Sequence, residues 1–422
     1  MAESYSEVVV IGGGAAGIAA ARHLSDAGMS CLLIEARARL GGRAFTAERQ
    51  GFPLDLGCGW LHSADRNPWA AIAQAQGLTL DKSAPPWERR SLSLGFPKID
   101  QESFTKARHE FYARREAAIH GPDRVASDLL EPGNRWNEML NAVSTYISGA
   151  ELDQLSLIDL ENYDDTGVNW RVVEGYGTAI AAHAAPLRTL MSAPVQRIDH
   201  SGKRLRIETA KGVVTADRAI IALPSAILSE SETLFAPALP QKVEAAAGLP
   251  LGLADKLFLA LEHAEEFDKD SRLFGHTDRA ATATYHLRPS GRPLIEVYFG
   301  GRNADALEAH GEHAFFEAAR DELVGLLGAD FARRIKPLSM HPWRADPFAR
   351  GSYSYALPGK ADCRATLAQP VDGRLFFAGE ACSKHDYSTA HGAYRSGIAA
   401  AEAVLAATGK YPPSLAAGLP GP

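Results

Sequence analysis

Cysteine is scarce: four in 422 residues (Cys31, Cys58, Cys363 and Cys382), with no C-x-x-C pair and no histidine cluster at ligand spacing. That usage argues against a disulfide framework and a structural metal, and it fits a reducing compartment. No run of about eighteen apolar residues occurs, so no membrane-spanning helix is expected. Basic charge is not in excess, since 44 Lys and Arg stand against 51 Asp and Glu for a net charge of −7. A nucleic-acid partner would want a basic face instead. The densest basic stretch, KARHEFYARR (106–115), is broken by acids and apolar residues at helical spacing, and reads as a solvated helix face rather than an anion site. Strand pattern begins by Glu7, which leaves no room for a signal or transit peptide, and PPSLAAGLPGP at the end reads as a loose tail. A soluble, cytoplasmic protein is expected, with a chain too long for a single core.

What the sequence does contain begins at once. EVVVIGGGAAGIAAARHLSDAGMSCLLIEA parses as strand, glycine turn, helix, turn, strand. Gly12, Gly14 and Gly17 give G-x-G-x-x-G between the strand and an alanine-rich helix, and Glu35 closes the second strand 18 residues beyond Gly17. Glycines let backbone approach a pyrophosphate at a helix N-terminus, and an acid at that spacing takes ribose hydroxyls. ARARLGGRAF follows directly, and its Gly41, Gly42 and Arg43 form a second loop of phosphate-binding type. The run EARARLGGR resembles the FAD signature of the glutathione-reductase-like flavoproteins, and no second glycine fingerprint occurs later, so the electrons of a flavin would leave to oxygen or a protein rather than to NAD(P).

Further on, helical and strand patterns alternate. SFTKARHEFYARREAAI and HAFFEAARDELVGLL read as helices, the latter with Phe315, Phe316, Ala319, Leu323 and Leu326 on one stripe for core packing. RLRIETA, VVTADRAIIALP, KLFLALE and PLIEVYFG read as strands, and GRLFFAGEAC leads from a strand into a helix from about Thr389 to Ala407. In GLADKLFLALE, Lys256 heads a strand with no polar face, as if covered on both sides. Such a lysine must reach water, find a partner or give up its proton, and desolvation alone would push it toward the neutral form.

IGGGAAGIAAARHL with EARARLGGR, DLGCGWLH (55–62), ADRAIIALP (216–224), GLADKLFLALE, and DPFARGSYSYALPG through LFFAGEACSKHDYSTAHGAYRSG (346–397) occur in this order along the chain. Together they resemble the flavin-dependent amine oxidases, the group of monoamine, polyamine and spermine oxidases and the lysine-specific histone demethylase, with the polyamine and spermine oxidases nearest in motifs. The resemblance implies an α/β fold in which a glutathione-reductase-like, FAD-binding Rossmann domain interleaves with an α+β substrate domain, a mixed sheet flanked by helices. We expect the FAD domain to comprise residues 1–75, 176–236 and 341–410, the substrate domain 76–175 and 237–340, and the tail 411–422.

It also implies site roles. For the cofactor these are Gly12, Gly14, Gly17, Glu35, Arg37, Arg39, Gly42, Arg43, Gly59, Trp60, Val195, Trp343, Gly379, Glu380, Thr389 and Ala390, with Arg39 and Arg43 bracketing the pyrophosphate. Lys256 corresponds to the family lysine that reaches a water near flavin N5. Tyr353 sits at an aromatic-cage position, where a ring face steers an amine. Thr389 and Ala390 open a helix whose dipole faces the flavin pyrimidine. Ser352 stands where monoamine oxidases have the cysteine bonded to flavin, which implies non-covalent FAD. His62, in WLHSADRNP with Asn67 and Pro68, matches a pocket histidine of polyamine oxidases. Cys58 and Tyr355 read as packing residues.

The implied reaction is oxidation of a primary or secondary amine or polyamine. Hydride passes to flavin N5, the imine hydrolyses, and O2 becomes H2O2. Two alternatives remain open: an L-amino-acid oxidase, for which Arg66 would clamp a carboxylate, and a dehydrogenase or desaturase passing electrons to another acceptor. Asp164 or Asp165 is a candidate for a distal ammonium. The expected partners are a small amine and O2, with no nucleic acid, no membrane and no metal, in a monomer or homodimer.

Overall fold

The computed structural model describes residues 4–230 and 233–409, so the expected tail at 411–422 lies outside the described residues. Contacts divide the chain into two units, one of Met1–Gly42, Ala179–Ala247 and Asp362–Pro422, the other of Arg43–Thr178 and Gly248–Ala361. Both are discontinuous. Residues 43–75 and 341–361, expected with the dinucleotide domain, belong to the second unit, and residues 237–247 belong to the first. The reason is local: the hairpin of Thr46–Arg49 and Phe52–Asp55 packs Ala47 and Leu54 against Phe258, and Tyr353–Ser354 pairs with Leu251–Gly252.

The first unit centres on the strand Ser4–Ile11, whose Val8, Val9 and Val10 are wholly buried, as a strand covered on both faces requires. It runs parallel to Cys31–Ile34 on one side and Gly212–Ile221 on the other. Leu375–Phe377 adds in parallel to the far end of Gly212–Ile221, while Leu205–Thr209 joins its start antiparallel, in an eight-stranded sheet. The helix Ala15–Asp26 connects the first two strands and packs on Ala390–Thr408. Small residues allow that approach: a Cβ on Gly397 would lie 2.2 Å from the Ala16 carbonyl oxygen.

The second unit holds a five-stranded antiparallel sheet ordered Ser271–Phe274, Thr284–Leu287, Leu294–Gly300, Ala254–Leu261, Ile335–Met340. Its two faces differ in chemistry. Leu257, Leu259, Leu273, Tyr285, Leu287, Ile295, Val297 and Phe299 point to one side, where Phe315, Ala319 and Leu323 of the helix Glu312–Leu327 complete an apolar core. The opposite side carries two rows in register: Lys256, Tyr298, Thr284 and Phe274, then Phe258, Glu296, His286 and Arg272. Lys256 is covered, as expected, but its strand neighbours give this inner face a polar character that its own strand does not show.

Candidate active site

In the first unit the glycine turn is a backbone device. Gly12 has φ +107°, and a Cβ there would lie 2.5 Å from the Ala222 carbonyl oxygen; one on Gly17 would lie 1.9 Å from the Gly12 carbonyl oxygen. Only glycine fits either position. The two glycine loops join edge to edge: Gly14 and Gly41 form a bridge, the Gly41 amide donates to the Gly13 carbonyl at 2.8 Å, and a Cβ on Gly42 would stand 3.1 Å from Gly14 Cα. Arg39 Nη1 donates to the Gly42 carbonyl at 2.8 Å and so locks the second loop. Glu35 is buried and accepts from the amides of Gly13 at 2.7 Å and Arg37 at 2.8 Å, while Arg37 Nη1 lies 3.8 Å away. A carboxylate has about four lone-pair sites, so Glu35 keeps capacity for hydroxyl donors. The helix Ala15–Asp26 starts at Gly14 with no side-chain cap and no acid in its first turn, which leaves its positive end for an anion. This arrangement fits the pyrophosphate and ribose of FAD.

Other expected cofactor residues of this unit are also placed. Gly379, at φ +143°, donates its amide to Ser396 Oγ at 2.9 Å. Glu380 is buried and accepts from the Ser388 amide at 2.9 Å. Val195 begins a strand paired to Thr209. Thr389 caps the helix Ala390–Thr408: its Oγ1 accepts from the Gly392 amide at 2.9 Å and donates to the Asp386 carbonyl at 2.6 Å. Thr389 thereby caps this helix, whose positive end opens at Ala390. Arg43 falls in the second unit and donates to the Ser352 carbonyl at 2.8 Å.

The second unit gathers Lys256, Tyr353 and Tyr298. Lys256 Nζ donates to the Asp55 backbone carbonyl at 3.0 Å and pairs with Glu296 Oε1 at 3.1 Å. The Tyr298 ring centroid lies 5.1 Å from Nζ, and the Tyr298 hydroxyl donates to Glu296 Oε1 at 2.9 Å. Gly59 leaves the space, since a Cβ there would stand 3.0 Å from Nζ. Burial opposes the ammonium, but Tyr298, Glu296 and Asp55 outweigh it and hold the Lys256 pKa well above its ordinary value. Desolvation was expected to favour the neutral amine; the ion pair reverses that. Burial likewise works against the Glu296 carboxylate, yet Lys256 and His286 hold its pKa far below the usual range.

The pair continues inward. His286 Nδ1 lies 3.4 Å from Glu296 Oε2 and its Nε2 2.9 Å from Asp270 Oδ1, and Arg171 bridges Asp270 at 3.1 Å and Asp81 at 2.9 Å. Glu296, His286, Tyr298 and Asp270 were not anticipated. A trace of them was present in the period-two alternation of Glu296 and Tyr298 with Ile295, Val297 and Phe299. Nothing in the sequence said which strand Lys256 would face.

His62 is oriented by Asn169. The Asn169 amide nitrogen donates to the Gly167 carbonyl at 2.9 Å, so its Oδ1 faces His62 Nδ1 at 2.6 Å as acceptor. That contact places a proton on His62 Nδ1. Asn67 donates to the His62 carbonyl at 3.0 Å and caps the helix Pro68–Ala75. Trp60 meets Trp87 edge-on at 4.5 Å with Arg171 over its face at 4.8 Å. Tyr353 donates its hydroxyl to the Tyr146 carbonyl at 2.8 Å. Trp343, at 2% exposure, donates Nε1 to the Leu56 carbonyl at 3.0 Å, packs on Gly57 and so positions that loop. Burial pushes the Cys58 thiol up to about 12, so it is no nucleophile. Tyr355 sits in the aromatic core, as expected.

Asp164 and Asp165 are committed elsewhere. Arg66 Nη1 donates to Asp164 Oδ2 at 2.7 Å, while Asp165 accepts from Ser63 Oγ at 3.1 Å and the Gly167 amide at 3.0 Å. Arg66 and Asp164 thus form an exposed ion pair, and Asp165 closes a turn.

Comparison with known proteins supplies the lineage. The family described as flavin containing amine oxidoreductase matches residues 100–405, and that described as NAD(P)-binding Rossmann-like domain matches residues 10–75. Polyamine oxidase 4 of Oryza sativa subsp. japonica is 29% identical over 441 residues, covering 94% of this chain and 88% of that protein. Polyamine oxidase 2 of Arabidopsis thaliana is 30% identical over 448 residues, covering 94% and 87%. A solved putrescine oxidase double mutant, redesigned in cofactor binding, superposes with a TM-score of 0.75 over 96% of this chain and 100% of that one; at 19% identity it speaks to fold alone. With glycine loops that fit FAD in one unit and a buried lysine among tyrosines in the other, the chain belongs to the flavin containing amine oxidoreductases and is an FAD-dependent amine oxidase.

Proposed function

We propose that the enzyme oxidises a small primary or secondary amine with O2 as terminal acceptor. The amine, O2 and water become an aldehyde or ketone, the remaining amine or ammonia, and hydrogen peroxide. FAD, when bound, supplies the two-electron acceptor for the C–H bond next to nitrogen. The Lys256 ammonium carries this reading. Nζ is held by the Asp55 carbonyl and Glu296 with the Tyr298 side chain beside it, which fixes the ammonium in one place. A fixed ammonium orients water for imine hydrolysis and favours negative charge developing nearby. The Tyr353 ring offers a face to the amine, and the Asn169-oriented His62 ring lines its approach.

The polyamine oxidase relatives support an amine substrate, and the absence of a second glycine fingerprint supports oxygen over a nicotinamide. Ser352 supports FAD held without a covalent bond, because its Oγ exchanges hydrogen bonds with the Ala254 backbone at 3.0 Å. Peroxide release, oxygen uptake and carbonyl product should match one to one with an amine substrate, and acid precipitation should free the flavin. Turnover of amine with an artificial acceptor but not with oxygen would favour a dehydrogenase instead.

A further inference from the structure

One end of the polar sheet face carries charge that the protein leaves unanswered. Arg272 stands beyond His286 in its row. Its Nε donates to Thr284 Oγ1 at a long 3.4 Å, and its guanidinium stacks 4.2 Å over Phe274. Burial pulls its pKa down to about 10; Tyr146 opposes that and the neighbouring Arg108 adds to it. Arg108, on the helix Lys98–Ala118, has its guanidinium 6.0 Å from the Phe104 ring and a buried Nε with no hydrogen-bond partner. Phe96 joins the two sites, at 5.7 Å from Phe274 and 6.2 Å from Phe104.

Among the described residues no carboxylate pairs with either arginine, whereas Lys256, Arg171 and Arg115 in the same unit each have one. Both arginines are half-buried, and a partly desolvated guanidinium favours an anionic partner that can reach it from solvent. The place is linked to the amine-steering tyrosine: Tyr353 donates to the Tyr146 carbonyl, the Tyr146 hydroxyl donates to the Thr282 carbonyl at 3.0 Å, and Thr284, two residues on, meets Arg272.

We infer that Arg272 and Arg108 form the far end of the substrate site and bind a carboxylate carried by the amine, at a distance from the nitrogen oxidised. This rests on the amine-oxidation reading. Lys256 and Arg272 stand on one face, three strand spacings apart, or about 14 Å between backbones at ~4.8 Å per strand. That span suits an extended ω-amino carboxylate and is too long for an α-amino acid. It also disfavours a polyamine, whose distal ammonium would meet two guanidiniums, while Asp164, Asp165, Glu296 and Asp270 are already engaged.

The test uses FAD-loaded enzyme and peroxide release with a ladder of ω-amino carboxylates, diamines and plain alkylamines of matched length. The expected result is a lower KM for the carboxylates. Arg272→Met should raise that KM roughly 10- to 100-fold relative to the alkylamine KM, the worth of a hydrogen bond to a charged group. Arg272→Lys should recover part of the effect. Calorimetric titration with hexanoate reads the anion site independently: wild type should bind, and Arg272→Met should bind more weakly. A preference for diamines or α-amino acids overturns the inference, as does an equal loss on all amines in Arg272→Met. If no amine is oxidised, the amine-oxidation reading fails and the substrate assignment fails with it; the hexanoate result then shows whether an anion site remains.

Discussion

The two units solve opposite problems. In the first, the binding surface is backbone: glycine loops that meet edge to edge, an uncapped helix start and one buried acid held by two amides. In the second, the working surface is side chain, drawn from adjacent strands and completed by the Asp55 hairpin. Backbone surfaces are contiguous in sequence and intolerant of any Cβ. Side-chain surfaces are assembled from distant segments and depend on charge balance. Substitutions should therefore fail differently in the two regions.

The largest expected effect falls on the backbone surface. Gly17→Val places a Cβ 1.9 Å from the Gly12 carbonyl oxygen, a clash with backbone that cannot relax without moving the loop. It should cost more than about 4 kcal/mol and yield protein with no flavin, read as the ratio of flavin to protein absorbance. Retained flavin at wild-type stoichiometry would contradict the fit.

This contrast also explains what could be read from sequence. The first unit's strand, turn, helix and acid lie within the first sixty residues, and the observed elements follow the expected order. Lys256 could be singled out as odd, but its state could not: Glu296 lies 40 residues away, and only the antiparallel pairing sets Lys256 beside Tyr298, next to Glu296. Of the three outcomes left open for a lysine on an apolar strand, finding a partner is the one realised, for that reason. Arg108 was passed over because its helix reads as solvated, and only the fold lays it against the Phe96 cluster.

Next in size, Lys256→Met should slow turnover by roughly 10²–10⁴-fold while flavin stays bound, the range for removing a positioned polar group from the reaction. Loss of flavin together with activity would point to a structural lysine. Glu296→Gln tests the charge balance and should lower stability by about 3 kcal/mol, because it leaves the Lys256 ammonium buried without its anion. The sign of its pH dependence follows from the shifts. The folded Glu296 pKa is lowered, so its contribution is full above about pH 4.3 and is lost as pH falls toward the folded value. The folded Lys256 pKa is raised, so its contribution is full below about pH 10.4 and is lost only as pH rises toward the folded value. Thermal melts should show Glu296→Gln less sensitive than wild type between about pH 4.3 and more acid conditions. An equally steep acid loss in both would remove Glu296 from the account.

The smallest effect is expected at the histidine. Asn169→Leu frees the His62 ring and its tautomer, and should raise the amine KM by roughly 3- to 10-fold, the loss of one ordinary hydrogen bond, with little change in kcat. A collapse of kcat would instead make His62 part of the chemistry.

The central claim is that a permanently charged Lys256 serves amine oxidation, and anaerobic rapid mixing tests it directly. FAD-loaded wild type and Lys256→Met are mixed with amine, the flavin absorbance is followed, and the reduced enzymes are then mixed with oxygen. The account predicts that amine bleaches the wild-type flavin, and that Lys256→Met, with flavin bound, is sharply slower in at least one of the two phases. Identical rates for both proteins in both phases would contradict it.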